Sequence, residues 1–388
     1  MPRFLHTADW QIGRTYPRFA PDDAAFLAEA RIETVERIAR LATERRVDAV
    51  LVAGDVFDAQ TVPDRTVRRL FNALAGFAGP WLMIPGNHDA ALAASVWTRA
   101  RRLDCIPANV HALVQPGMTP FEDLGCVVLA APLTQRQTHS DLTTWFDDEP
   151  SPPGLVRIGL AHGCIAGILP DTVDSANPIA ADRAATARLD YLALGDWHGA
   201  RRIDARTWYS GTPEQDRFKG NEPGNVLQVD ISQAGAEPVV EVIPAGTYRW
   251  HDWHRHMDVA TDVDELEGQL SAVTGGDVIA LRLAGQVGLE DQRRIQRILD
   301  VAQGRARALE ADLGDLRLRP TDADIAALAA DGYVGAVLAE LRDACRSVRA
   351  DANDTNDATD TNDVTDGDDA VASEALKIMA GILLERQA

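Results

Sequence analysis

Hydrophobic residues in the first part of the chain alternate between two patterns. Short apolar runs at residues 3–8, 48–53 and 81–84 are typical of buried strands. Between them, residues 24–43 and 64–75 carry apolar positions every three to four residues, which predicts helices. Each predicted strand ends abruptly in polar residues, with Asp, Asn or His close to glycine at several of these ends.

The strand pattern continues further along the chain. We predict additional strands at residues 126–130, 157–161, 191–194, 207–209 and 225–231. Strands that alternate with helices, followed by closely spaced strands, indicate an α/β fold with layered sheets. Ligands of such folds bind beyond the carboxyl ends of the strands, so the polar strand ends are the candidate site.

The pattern changes near residue 245, where a second unit is predicted to begin. Beyond residue 350, Asp recurs at nearly every third position among Asn, Thr and Ala, a composition that cannot bury apolar surface. The last apolar stripe fits a helix that docks on a partner or folds back on its own chain. The predicted organisation is a first domain at 1–245, a small α/β cap domain at 246–320, a helical segment at 321–349, a disordered Asp-rich linker at 350–370 and an amphipathic C-terminal helix at 371–388.

Charge and composition narrow the function. The formal net charge is −21, of which residues 351–369 carry −8, and this leaves −13 for residues 1–350. A net negative charge on residues 1–350 is atypical of a protein that binds DNA tightly without a partner. A partner protein could supply the DNA-binding surface. We see no apolar run of about 20 residues and no signal peptide pattern, so no membrane contact is expected. The four scattered cysteines suggest reduced thiols and a cytoplasmic protein.

Five short clusters at predicted strand ends carry the chemistry. Any one of them has a structural explanation, such as a turn or a helix cap, but five in order indicate a metal-dependent phosphoesterase. Two divalent cations about 3.5–4 Å apart can neutralise phosphate oxygens and activate a water. The clusters are Asp9-Trp-Gln11, Gly54-Asp55-Val-Phe-Asp58, Gly86-Asn87-His88-Asp89, Ala161-His162-Gly and Gly195-Asp196-Trp-His198.

The residue types suggest separate roles in this predicted site. Asp55 is the natural bridge between the two cations, Asp9 and His198 would complete one of them, and Asn87 and His162 would help to hold the other. His88 follows a ligand directly and can donate a proton to the leaving oxygen. Asp58 and Asp89 suit the orientation of ligand side chains. We predict no organic cofactor.

These clusters resemble the motifs of the calcineurin-like metallophosphoesterase superfamily. Residues 6–10 (HTADW), 194–198 (LGDWH) and 209–214 (YSGTPE) look like those of the SbcD-like nuclease subunits of DNA repair complexes. The resemblance covers roughly residues 3–231, with weaker similarity in the cap. It implies a four-layer α/β/β/α metallophosphoesterase sandwich, to which the hydrophobic pattern adds a small C-terminal cap domain and a helical tail. It also implies two manganese ions, nuclease action on DNA ends, a homodimer and an SMC-like coiled-coil ATPase partner similar to SbcC.

The sequence departs from the superfamily pattern at two positions. Gln11 and Asp196 stand where the first and last motifs usually have histidine. We interpret both as working oxygen ligands, which favour Mn²⁺ or Mg²⁺ over softer metals. The alternative is that the two substitutions weaken metal binding.

Two other functions stay open from the sequence alone. The same site could act on a smaller phosphoester or a cyclic nucleotide. The departures at Gln11 and Asp196 would also fit a catalytically weakened scaffold that binds DNA ends, although Asp55 and His88 are both present.

Overall fold

The chain forms two compact units, Met1–Trp250 and His251–Ala388, in a computed structural model. The structure describes residues 2–167, 176–218, 220–318 and 333–341, and a few helical positions beyond them: 343, 371, 374–376, 378–379 and 382–383.

Strands and helices alternate through the first unit. In chain order they are β1 (Arg3–Thr7), α1 (Pro21–Glu44), β2 (Ala49–Ala53), α2 (Asp64–Ala73), β3 (Trp81–Ile84), α3 (Val96–Arg102), β4 (Val110–Ala112), β5 (Gly117–Phe121), β6 (Cys126–Ala131), β7 (Val156–His162), β8 (Cys164–Ile165), β9 (Pro178–Ile179), α4 (Arg183–Thr186), β10 (Tyr191–Gly195), β11 (Arg201–Arg202), β12 (Thr207–Tyr209), β13 (Asn225–Asp230) and β14 (Val239–Pro244).

Two six-stranded sheets make up the centre of this unit. The first has the order β14-β13-β1-β2-β3-β4, and the second has the order β11-β12-β10-β7-β6-β5. Strands β1 to β4 are parallel in the first sheet, as are β6, β7, β10 and β12 in the second. The carboxyl ends of the parallel strands therefore form one continuous edge in each sheet.

Side chains alternate between the two faces of a strand, and both faces of each sheet are covered. In β1, Phe4 packs between the two sheets while Leu5 packs against the helices α1, α2 and α3. Leu192 of β10 faces the opposite way, towards α4 and Phe146. The layers are thus helix, sheet, sheet and helix. The predicted α/β/β/α sandwich is confirmed.

The second unit has a core of its own. Its elements are β15 (Arg249–Met257), α5 (Ala260–Ser271), β16 (Asp277–Val287), α6 (Leu289–Gln303) and β17 (Ala308–Leu318). The three strands form one sheet in the order β15-β16-β17, and both helices bury apolar residues in a cluster with it. Leu338 and Leu376 are buried together in a small separate cluster.

Several predictions concern the C-terminal part of the chain. The Asp-rich linker at 350–370 lies outside the described residues, as does most of the predicted segment 321–349. The predicted domain boundaries stay predictions. Among the described residues, no helix is long and apolar enough to cross a membrane.

Candidate metal centre

The predicted site residues meet where the carboxyl edges of the two sheets face each other. Asp9, Asp55 and Asn87 follow β1, β2 and β3 of the first sheet, while His162 ends β7 of the second. Asp196 and His198 follow β10 of that second sheet. Ligand atoms of Asp9, Asp55 and His162 all lie within 4.8 Å of one another, and all three residues are buried.

Four residues form what we call the Asn87 side of the centre: Asp55, Asn87, His162 and Asp196. The Nε2 atom of His162 lies 3.6 Å from Asp55 Oδ1 and 3.7 Å from Asp196 Oδ1. Its Nδ1 atom is 2.8 Å from the backbone oxygen of Ala53, to which it can only donate. This hydrogen bond leaves the lone pair of Nε2 directed into the centre.

The opposite end is the Gln11 side: Asp9, Gln11, Asp55 and His198. Gln11 Nε2 lies 3.2 Å from Asp55 Oδ2 and 3.4 Å from His198 Nε2. Asp55 Oδ1 thus faces His162 and Asp55 Oδ2 faces Gln11, while the side-chain amide of Asn87 lies 3.2 and 3.1 Å from these two oxygens. The backbone N–H of Asp196 donates to both carboxylate oxygens of Asp9, at 3.1 and 3.2 Å, and so ties the two sheet edges together.

Gln11 does not direct its oxygen into the centre. Its Oε1 atom accepts a hydrogen bond of 2.8 Å from Arg14, and its amide nitrogen is the atom that faces Asp55 and His198. A ligand role for Gln11 would require its amide to turn around, so that role stays a prediction.

His88 lies at the open face of the centre. Its Nδ1 atom is 2.7 Å from the backbone oxygen of Asp58, and its backbone N–H donates to Asp55 Oδ1 at 2.9 Å. Its Nε2 atom is 4.0 Å from Asp55 Oδ2, and 40% of the side chain is exposed. The backbone of Asp58, rather than its carboxylate, thus orients the ring.

Asp89 is buried directly beneath the centre. Its carboxylate accepts hydrogen bonds from the backbone N–H groups of Gly86, Val56 and Phe57, at 2.7 to 3.2 Å. These bonds connect the loops that follow β2 and β3. Asp89 thereby fixes the backbone beside Asp55 and Asn87, and the orienting role predicted for it stays a prediction.

The buried carboxyl groups of the centre repel one another. Burial raises the pKa of Asp9 to about 6, and burial together with the charge of Asp55 raises the pKa of Asp89 to about 7. Burial lowers the pKa of His162, but the carboxylates of Asp55, Asp9 and Asp196 outweigh it and raise this pKa to about 9. Such a surplus of negative charge suits a bound cation.

The contacts of Asn87 test whether these residues fit a metal. The inward atom of its side-chain amide lies 2.9 Å from His162 Nε2 and 3.2 and 3.1 Å from the two carboxylate oxygens of Asp55. An amide oxygen in that position faces only acceptors. A divalent cation among these atoms would satisfy all of them at once, so the donor set fits a metal.

Four of the nine described non-glycine residues with positive φ lie at the predicted site. Asp9, Gln11, Asp55 and Asp196 all have positive φ, at 53°, 45°, 52° and 102°. Residues other than glycine seldom adopt this conformation, and it persists where the surrounding structure enforces it. At these positions the chain turns sharply after β1, β2 and β10.

Three supporting residues were not predicted from the sequence. Asp216 is buried and lies 3.3 Å from His198 Nδ1, where it can orient that ring. Arg31 is buried and donates to the backbone oxygens of Asp9 and Trp10. Arg14 holds Gln11. An arginine on the apolar stripe of the helix at 24–43 was a usable signal for Arg31.

The fold and this centre define a metallophosphoesterase. The chain belongs to the calcineurin-like phosphoesterase family, whose model matches residues 2–200. The predicted class of enzyme, a metal-dependent hydrolase of phosphoesters, is thereby confirmed.

Curated relatives agree with the predicted resemblance to SbcD-like nucleases. The chain is 29% identical over 261 residues to the DNA double-strand break repair protein Mre11 of Aeropyrum pernix, covering 63% of this chain and 61% of that protein. It is 24% identical over 342 residues to SbcD of the SbcCD nuclease of Bacillus subtilis, covering 76% and 83%. It is 42% identical over 96 residues to SbcD of Rhodobacter capsulatus, covering 23% and 22%. The chain thus spans under two thirds of the Aeropyrum relative.

Proposed function

We propose that this protein is a nuclease that hydrolyses DNA phosphodiester bonds with two divalent cations, Mn²⁺ by preference and Mg²⁺ as the alternative. It would act at DNA ends, as an exonuclease with some endonuclease activity, in double-strand-break repair. The observation that carries the proposal is the convergence of Asp9, Asp55 and His162 within 4.8 Å, beside an accessible His88. The names of the Mre11 and SbcD relatives support the choice of DNA.

The side chains would divide the work as follows. Asp9, Asp55, Asn87, His162, Asp196 and His198 would hold the cations, with Asp55 shared between them. When bound, two cations supply positive charge to the phosphate oxygens and lower the pKa of an attacking water. The sandwich keeps the ligands rigid, because each one follows or ends a buried strand.

In this proposal His88 serves the leaving group. Its Nδ1–H donates to the backbone oxygen of Asp58, so Nε2 is the atom that faces solvent and an incoming substrate. In its protonated form Nε2–H can donate to the phosphate or to the departing oxygen. Asp58 and Asp89 act only by holding this geometry.

The test measures the rate at which the full-length protein hydrolyses phosphodiester bonds in the presence of Mn²⁺. The same rate is measured in EDTA for comparison. We expect His88→Ala to lower kcat by about 100-fold or more, the usual range for loss of a proton donor. His111→Ala is a matched control, because His111 is an exposed histidine on β4 that contacts Phe121. Equal kcat for His88→Ala and wild type would rule out the assigned role.

The substrate is tested separately from the chemistry. Linear duplex DNA, single-stranded DNA, a cyclic nucleotide and bis-p-nitrophenyl phosphate would be compared at saturating Mn²⁺. We expect a kcat/KM for DNA that exceeds that for the small esters. The reverse order would instead favour a phosphodiesterase of small molecules, and no hydrolysis at all would favour a DNA-end-binding scaffold.

We also propose a homodimer, an SMC-like coiled-coil ATPase partner and a cytoplasmic location. The first two rest on the resemblance to SbcD-like nucleases. The location rests on the scattered spacing of the four cysteines, Cys105, Cys126, Cys164 and Cys345, which lack any CxxC pair. Co-purification with the product of a neighbouring gene for a P-loop coiled-coil ATPase would test the partner.

A further inference from the structure

The two sides of the metal centre present different atoms to a cation. On the Asn87 side, the carboxylates of Asp55 and Asp196, the lone pair of His162 Nε2 and the amide of Asn87 can all act as ligands. On the Gln11 side, Asp9, Asp55 and His198 are joined by an amide nitrogen, which donates and cannot bind a metal.

Hydrogen bonds on both ends of the amide fix the orientation of Gln11. Arg14 Nη1 donates to Gln11 Oε1 at 2.8 Å, and Gln11 Nε2 donates to Asp55 Oδ2 at 3.2 Å. Turning the amide around would place NH₂ against the guanidinium and the oxygen against the carboxylate. Arg14 is itself anchored, since Nη1 lies 3.4 Å from Asp58 Oδ1 and 3.4 Å from Asp216 Oδ2.

Positive charge is also distributed unequally. Arg14 and Arg217 both border the Gln11 side, and Arg217 Nη2 lies 2.5 Å from His198 Nδ1. Among the described residues, the ion pairs of Asp55 and Asp196 involve histidines and no arginine. A guanidinium repels a divalent cation across a short distance, and the pairing of both arginines with Asp216 offsets part of this repulsion on the Gln11 side.

We propose that the two sides bind divalent cations with unequal affinity, the Asn87 side first and tightly, the Gln11 side second and weakly. The Gln11–Arg14 hydrogen bond sets the difference, because full ligation on the Gln11 side requires that this bond be broken. This inference rests on the proposed metal-dependent function and adds an order of binding to it. At limiting metal concentration the protein then binds one cation, and its metal centre is only half filled.

The test is calorimetric titration of the metal-free, full-length protein with MnCl₂, with the number of bound ions checked by Mn²⁺ electron paramagnetic resonance. For wild type we expect two steps whose Kd values differ by about tenfold or more. Gln11→His supplies a ring nitrogen in place of the amide, so it should tighten the second step by about tenfold and leave the first unchanged.

Two further variants separate ligand chemistry from folding. Arg14→Ala releases Gln11 Oε1 and should also tighten the second step, which keeps the test decisive if Gln11→His fails to fold. Asp196→Asn removes a carboxylate from the Asn87 side and should weaken the first step. Circular dichroism and the thermal midpoint confirm that each variant is folded.

The outcomes of these titrations distinguish unequal from equal binding on the two sides. Two equal steps in wild type, or a second step that neither Gln11→His nor Arg14→Ala changes, would overturn the inference. Hydrolysis of bis-p-nitrophenyl phosphate at saturating Mn²⁺ reports on the proposed function separately. Two unequal binding steps without hydrolysis would refute the proposed function and support the order of binding. Hydrolysis together with two equal binding steps would refute the order of binding and support the proposed function.

Discussion

His6 occupies a buried position three residues before Asp9, between the two sheets' carboxyl edges. Its Nε2 atom is 3.2 Å from the backbone oxygen of Leu194, to which only N–H can donate. Its Nδ1 atom, 2.9 Å from the hydroxyl of Tyr191, therefore accepts. Both ring nitrogens are satisfied in the neutral form. Burial lowers the pKa of His6 from 6.5 to about 3, as expected of a packed structural histidine.

Lowering the pH should therefore lower the free energy of unfolding, because His6 binds a proton more readily in the unfolded chain. Between pH 6.5 and pH 3 the unfolded chain binds a proton at this ring and the folded chain does not, so acid favours unfolding. His6→Gln keeps one donor and one acceptor but does not titrate. We expect the free energy of unfolding of wild type, relative to His6→Gln, to drop by about 2 kcal/mol from pH 7 to pH 5.

Urea unfolding of both proteins at the two pH values measures this difference. Other groups titrate in both proteins and cancel in the comparison. A relative stability that is the same at pH 7 and pH 5 would show that His6 carries no such linkage.

Single residues differ in how far the sequence reveals them. Asp9, Asp55, Asn87, His162 and His198 were predictable because each stands at the end of an apolar strand, beside glycine or within a recognisable motif. Supporting side chains such as Asp216 and Arg14 lie in loops, where no periodicity operates. Their positions depend on how distant segments meet, which a linear pattern does not encode.

Among the elements, the strand ends approach one another closely at the centre. Gly195, the last residue of β10, lies against the end of β2: a methyl group there would come within 2.0 Å of the backbone oxygen of Ala53 and 2.8 Å of His162 Nδ1. The two sheet edges can meet at this distance only because residue 195 has no side chain.

Gly195→Ala should accordingly separate the two edges. We expect a loss of about 1–3 kcal/mol in the free energy of unfolding, the usual range for overpacking, and weaker Mn²⁺ binding because His162 is displaced. Gly117→Ala in β5 is the control, since a methyl group there meets nothing within 4 Å.

Thermal unfolding and a Mn²⁺ titration of both variants provide the measurement. The control should stay within about 0.5 kcal/mol of wild type. If Gly195→Ala bound Mn²⁺ as wild type does, the close approach would have no part in forming the centre.

The sequence predicted the interior strands of the sandwich and missed the edge strands β5 and β14 and the two-residue strands. Helices α1 and α2 and strands β1, β2 and β3 were predictable because continuous burial imposes a clear apolar pattern. Strands β8, β9 and β11 have only two residues each, too few for any periodicity. Strand β15 gives no apolar signal because its charged and histidine residues resemble a solvated loop, and backbone pairing to β16 orders it.

At the scale of the whole molecule, negative charge dominates. The chain has 59 acidic residues against 38 Lys and Arg. Proteins that grip DNA through many phosphate contacts carry the opposite balance. The protein alone should therefore hold DNA by the metal centre and a few contacts around it, and not by an extended basic surface.

Salt dependence tests this expectation. With Mn²⁺ and no partner, we expect the KM for duplex DNA to change by less than about threefold between 50 and 200 mM salt, whereas six to ten phosphate contacts would cost about 10³–10⁵ in affinity. The KM for bis-p-nitrophenyl phosphate, measured in parallel, corrects for salt effects on the metals. A rise of two orders of magnitude for DNA would reveal a basic surface that the net charge conceals.

The place of β1 in its sheet has a consequence for how the protein is made. Strand β1 lies between β2 and β13, and the residues of β13, Asn225–Asp230, are translated more than 200 residues after β1. At about 5–20 residues per second, β1 waits roughly 10–45 s for that neighbour. During this interval one edge of an apolar strand has no partner. Until residue 230 has emerged, the nascent chain exposes this unpaired strand edge, which is the kind of surface that chaperones protect.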